Sequence, residues 1–174
     1  MKPILPFLSI FLFSFLLSGC LATKKVQIKH KQTTQYLPNW IKTPSQKKSI
    51  SVVASSLQQP NETFRYARDK AYKNAQRALQ KKLQQKIATI LTSFDTSKQE
   101  DIKTITQKIV NDSLTQAKVT KLFQTKTKKI FVLNTIKISY IIANMEKYLK
   151  NNQKLYQNFL IGKSDGSLAI QLQK

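Results

Sequence analysis

The chain is poor in the residues on which site chemistry is usually built, with one cysteine, one histidine and three glycines among 174 residues. A single thiol excludes an intramolecular disulfide, a CxxC redox pair and a cysteine-based zinc cluster. The one histidine, His30, precedes the part of the chain that reads as folded, so a nucleophilic triad lacks its base. Neither glycine-rich nucleotide-binding pattern is present, and three glycines leave little material for a phosphate-cradling loop. Acids are scarce too. Against 30 Lys+Arg there are 8 Asp+Glu, a formal charge of +22. Asp69, Asp95, Glu100, Asp101 and Asp112 fall on helix surfaces or caps, which accounts for them without a paired-carboxylate site.

What remains is a lysine-rich chain. The product of an AT-rich genome also gains lysine, but such drift usually raises Glu with it. The low acid content therefore makes the positive field a physical property of the protein. Its natural partners are polyanions: phospholipid or lipopolysaccharide phosphates, acidic cell-wall polymers such as peptidoglycan, or nucleic acid. The length suits one small domain plus a tether.

The amino terminus reads as a leader. One lysine precedes the apolar run Ile4 to Leu17, which is too short for the roughly 20 residues of a membrane span and suits a signal sequence. The run ends in Leu17, Ser18, Gly19 and Cys20, which resembles the lipobox of bacterial lipoproteins. That resemblance implies diacylglycerol on the Cys20 thiol, removal of residues 1–19 and acylation of the new terminal amine. Beyond that lipid, no cofactor is expected. Two or three acyl chains make attachment effectively permanent, whereas one gives only marginal binding. Leu21 rather than Asp after the cysteine favours the outer membrane over retention at the inner one. An exported protein does not meet cytosolic nucleic acid, so that partner is set aside.

Residues 20–36 are polar and basic, without a helical or strand period, and read as a flexible tether beside the bilayer. Pro38-Asn39-Trp40 marks entry to the domain, with Trp40 expected to be buried. Ile50–Leu57 reads as a strand. Asn61 is the expected cap of a helix with Glu62 in its first turn. Phe64–Phe94 is helical throughout, its stripe of Ala67, Ala71, Ala75 and Ala78 continuing as Leu79, Leu83, Ile87, Ile90, Leu91 and Phe94. Alanines at its start let the helix lie close on a sheet. Ser97 to Glu100 matches a capping box before a second helix through Ile102, Ile105, Ile109, Val110 and Leu114. Lys118–Phe123 and Ile130–Ile138 form a predicted antiparallel hairpin whose second strand, apolar on both faces, is central. Tyr140–Lys150 is a further helix. In residues 151–174, a turn at Asp165-Gly166 separates two apolar stretches that suggest a small hairpin or docking strand.

This order predicts an α+β fold, a small antiparallel or mixed sheet packed by a long alanine-striped helix and further helices. With Pro38-Asn39-Trp40, the stretch from Ala67-Arg68-Asp69-Lys70-Ala71 to Leu83, and the strand Lys129-Ile130-Phe131-Val132-Leu133, it resembles the LPP-twenty family of small bacterial outer-membrane lipoproteins. The resemblance covers residues 37–150. It implies an α+β domain in the cell envelope, without catalytic residues, acting as a surface antigen or as part of an envelope structure around the flagellar motor. Envelope proteins or further copies of the chain are the implied partners. Two departures stand out. Ser55-Ser56 occupies the place of a glycine in the family's first strand, and the basic charge is unusually high.

Overall fold

The computed structural model describes residues 36–97 and 99–174. A short helix, α1 (Asn39–Lys42), leads into β1 (Ser49–Leu57), then α2 (Phe64–Phe94), α3 (Gln99–Leu114), β2 (Lys118–Gln124) and β3 (Lys129–Lys137). Three helices complete the chain: α4 (Ile138–Leu149), α5 (Gln153–Ser164) and α6 (Ser167–Gln173). The strands form one antiparallel sheet in the order β1-β3-β2, so the fold is α+β with β3 at the centre.

Two adjoining regions of core follow from the length of α2. At about 1.5 Å per residue its 31 residues extend some 46 Å, whereas nine-residue β3 covers only about 30 Å. The helix therefore outruns the sheet, and its composition changes along its length. Ala67, Ala71 and Ala75, all fully buried, pack on Ile130 and Val132, where only a methyl side chain lets helix and sheet backbones approach. Leu79, Leu83, Ile87, Ile90 and Leu91 then fill the wider space shared with Ile50, Val52 and Ile136 of the sheet and with the other helices. Ala78 points to solvent, outside the stripe in which its spacing had placed it. Phe94 is half-buried.

Several local details differ from expectation. The cap of α2 is Thr63, whose hydroxyl accepts from the Tyr66 amide at 3.2 Å, while Asn61 and Glu62 lie in the preceding turn. Glu62 accepts there from the Gln59 amide at 3.2 Å. Just before α3, the Ser97 hydroxyl and amide both donate to Asp95, at 2.7 and 3.0 Å. Ile138 leaves the strand and begins α4, its amide donating to the Lys48 carbonyl at 3.0 Å. Trp40 is half-buried in α1 rather than enclosed, because a four-residue helix at the domain edge is too short to cover it.

The carboxy-terminal stretch is helical, which corrects the expected hairpin. The turn at Asp165-Gly166 is present, Gly166 having a positive φ of 75°. On either side, however, the apolar spacing closes on helical faces: Leu155 and Phe159 on α5, Leu168 and Leu172 on α6. Ile170 alternates with the latter two and is 55% exposed, which a one-sided strand would not allow. All four buried side chains enter the main core, so residues 151–174 are part of the domain. Among the described residues, both core clusters lie between Ile50 and Leu172.

Replacing Ala71 by Leu is expected to destabilise the domain by about 1–3 kcal/mol, since overpacking must push α2 off the sheet. Ala78→Leu, in the same nominal stripe but exposed, should stay within about 0.5 kcal/mol of the parent. Urea unfolding of the two variants measures the difference, and equal losses would contradict the close approach of α2 to β3.

Candidate functional surface

Leu17, Ser18, Gly19 and Cys20 lie outside the described residues, as do His30 and the tether up to residue 35. The surface of residues 36–174 can be built from its charges. Among the described residues, no group of three His, Cys, Asp or Glu side chains could hold a metal ion, and no helix is long and apolar enough to cross a membrane.

Three of the acids tie helices together. Asp95 ends α2, with its side chain only 4% exposed, and receives the Lys154 ammonium of α5 at 3.1 Å. The Ser97 hydroxyl and amide, followed by Lys154, stabilise its charged form against the cost of burial and hold its pKa at about 2. Asp112 joins α3 to α4, accepting from Lys147 at 2.8 Å and the Tyr148 hydroxyl at 2.6 Å. Those two hydrogen bonds lower its pKa, and the contact with Asp112 raises that of Lys147. Glu146 of α4 accepts from Lys163 of α5 at 2.7 Å and is lowered for that reason. Tyr148 is thus committed to Asp112. The sequence carried no sign of these pairings, whose members lie 17 to 59 positions apart.

With the acids so engaged, the cations gather on surfaces that lack them. Lys82 of α2 reaches back to donate to the Ser51 carbonyl at 3.2 Å, on the open edge of β1. One turn further on, partial burial and then the nearby Lys82 charge lower the pKa of Lys86. Lys86 borders a cleft of about 480 Å3 between α2 and α6. A second cleft, of about 440 Å3, is bordered by Lys47, Lys48 and Lys137 over an apolar floor that includes Ile138 and Ile142.

The clearest segregation is on the sheet. Side chains alternate between its faces. Ile130, Val132 and Ile136 of β3 point to the helices, as do Ile50 and Val52 of β1. Phe131, Leu133 and Thr135 point the other way. Paired with them in register are Phe123, Lys121 and Lys118 of β2, while Lys129 and Lys137 of β3 pair with Leu57 and Ser49. Every lysine of β2 and β3 therefore projects from the face away from α2, and all four are exposed. The three strands contain no Asp or Glu. The five ion pairs among the described residues involve none of these lysines.

A hydroxyl line crosses this face, Thr120 Oγ1 lying 3.3 Å and Ser51 Oγ 3.1 Å from Thr135 Oγ1. Half-buried Phe123 and Phe131 sit beside it, with the Lys129 ammonium 5.2 Å from the centre of the Phe131 ring. The sequence shows the basic surplus and the predicted strand that ends at Phe123, but not the face they share. Strand alternation carries part of that signal, and the bulge between Val119 and Lys121 hides the rest.

Compared with protein-family models, curated proteins and solved structures, the chain matches none.

Because the folded-state pKa of Asp95 lies below the ordinary value of 3.8, its contribution to stability is present above that value. It fades as pH falls from there through about 2. The difference in urea midpoint between the parent and Asp95→Asn should accordingly be largest near neutrality and shrink as acid is added through that window. A difference independent of pH would show that the Asp95 charge is not what secures the α2 and α5 junction.

Proposed function

We propose that this is a lipid-anchored cell-envelope protein, held in the outer membrane through Cys20 and acting by contact, as a structural or surface subunit, rather than by catalysis. The observation that carries the proposal is the run Leu17-Ser18-Gly19-Cys20 at the end of an apolar leader, in a chain with no other cysteine. Small residues at positions 18 and 19 allow a signal peptidase close access to the backbone, and the thiol at position 20 is the atom a lipidating enzyme needs. In an exported protein a lone thiol at that position has acylation as its most economical explanation.

A contact role is supported by the way the polar chemistry is spent. The more buried carboxylates join helices and leave no pair free to share a proton with a substrate. The resemblance to the LPP-twenty family points the same way, towards an envelope subunit and, in some relatives, towards assemblies around the flagellar motor. Envelope proteins or further copies of this chain are the partners it suggests. The +22 balance favours a second partner class, the anionic polymers of the envelope such as lipopolysaccharide or peptidoglycan. Salt distinguishes these, since polyanion binding weakens steeply as ionic strength rises.

The deciding measurement is the intact mass of the protein extracted from its native membranes. A chain beginning at Cys20 with added diacylglycerol and acyl mass is expected, and Cys20→Ala should lose both that mass and membrane attachment. A soluble chain cut elsewhere, with an unmodified thiol, refutes the anchor.

A further inference from the structure

We infer that the cleft between the turn before β1 and helices α4 and α6 binds an anionic amphiphile, a single lipid whose phosphate-bearing headgroup sits among lysines and whose acyl chain lies on the apolar floor. The inference rests on the envelope reading above for the setting in which such a lipid is met, but the site itself is defined by described residues of the domain. Lys47 and Lys48 are the central residues of a turn closed by the Ser49 amide, which donates to the Gln46 carbonyl at 3.3 Å. Lys137 lies directly opposite Ser49 in the pairing of β1 with β3, and the Ile138 amide donates to the Lys48 carbonyl at 3.0 Å. Backbone bonds thus bring lysines from distant parts of the chain to one cleft of about 440 Å3, a size usual for small-molecule sites. All three are exposed, none enters an ion pair among the described residues, and the described lining of the cleft contains no Asp or Glu.

The floor decides the class of anion. Ile138 and Ile142 lie one turn apart on α4, and Ala169 of α6 borders the same cleft. Ile138 is buried, whereas Ile142 and Ala169 pack against the main core and are still only half-buried. Apolar surface therefore stays open beside the ammonium groups. A free phosphate or a soluble polyanion would pair with the lysines and leave that surface wet. An acyl chain covers it, and each methylene moved from water onto it strengthens binding by up to about fourfold. Charge and apolar area in this cleft are complementary to the two halves of one molecule.

The test uses the full chain with Cys20→Ala, which carries no attached lipid whether or not the anchored reading holds, so a failed site and a failed anchor are told apart. Calorimetric titration with hexyl phosphate should show one site, and butyl phosphate should bind up to about fifteenfold more weakly for its two missing methylenes. Inorganic phosphate should be weaker still, and neutral hexyl glucoside should not bind. Lys47→Gln, Lys48→Gly and Lys137→Gln should each lower the affinity for hexyl phosphate by up to about fivefold. Lys48 has a positive φ of 57°, which glycine adopts without strain, so its replacement removes an ammonium and keeps the turn. Ile142→Ala should instead narrow the difference between hexyl and butyl phosphate. Changing exposed Lys70, Lys73 and Lys81 of α2 to Gln removes as much charge as the three cleft changes combined, and it should leave binding nearly as in the parent. Equal losses in the two triple variants would reduce the effect to net charge and overturn the proposal. So would an affinity independent of chain length, equal binding of hexyl glucoside, or no binding of hexyl phosphate at all.

Discussion

The close approach of α2 to the sheet is the contact on which the rest of the arrangement depends. Three alanines one helical turn apart bring the helix down onto Ile130 and Val132, and the direction so imposed carries its second half beyond the strands. That overhang, lined by Leu83, Ile87 and Leu91, provides the ridge against which α3, α5 and α6 pack. A larger side chain at the alanine positions would tilt the helix and displace all three. The stripe is therefore graded. Small residues set a distance, and large residues further along use the volume that the distance leaves.

Scarcity of acid shapes the electrostatics as strongly as abundance of base. A domain with this surplus of lysine repels itself, and its few carboxylates do most good where they hold two elements together. Asp95, Asp112 and Glu146 each do so; hydrogen bonds from Lys147 and Lys163 lower the pKa of Asp112 and Glu146, while those from Ser97, followed by Lys154, lower that of Asp95. The consequence for function is subtractive. Acids committed to helix junctions cannot screen the sheet, so the lysines of β2 and β3 stand on a face of one sign. The bulge in β2 and its two lysines also guard that edge strand against pairing with another chain. Such an edge remains available for contact without inviting aggregation.

The proposed anchor would suit a domain of this charge. A tether restricts diffusion and raises the effective concentration of weak contacts, so acylation at Cys20, as proposed, would let a basic surface act through contacts too weak to recruit it from solution.

Much of this fold was legible in the residues. Periodicity located α2 to both of its ends, and the apolar run on both faces of β3 placed that strand at the centre, because burial leaves its period in the sequence whatever the partner. The resemblance of Leu17 to Cys20 to a lipobox is likewise local, carried by four consecutive residues. Residues 151–174 were ambiguous, since Leu168 and Leu172 satisfy a strand and a helix equally well, and only the presence of a core to dock against selects the helix. The cap at Thr63, the outward turn of Ala78 and the pairing of Asp112 with Tyr148 likewise depended on neighbours distant in sequence. The basic excess was visible as a number from the outset. Its gathering on one side of the sheet was decided by strand register and by which face α2 covers, and no count of charges contains either.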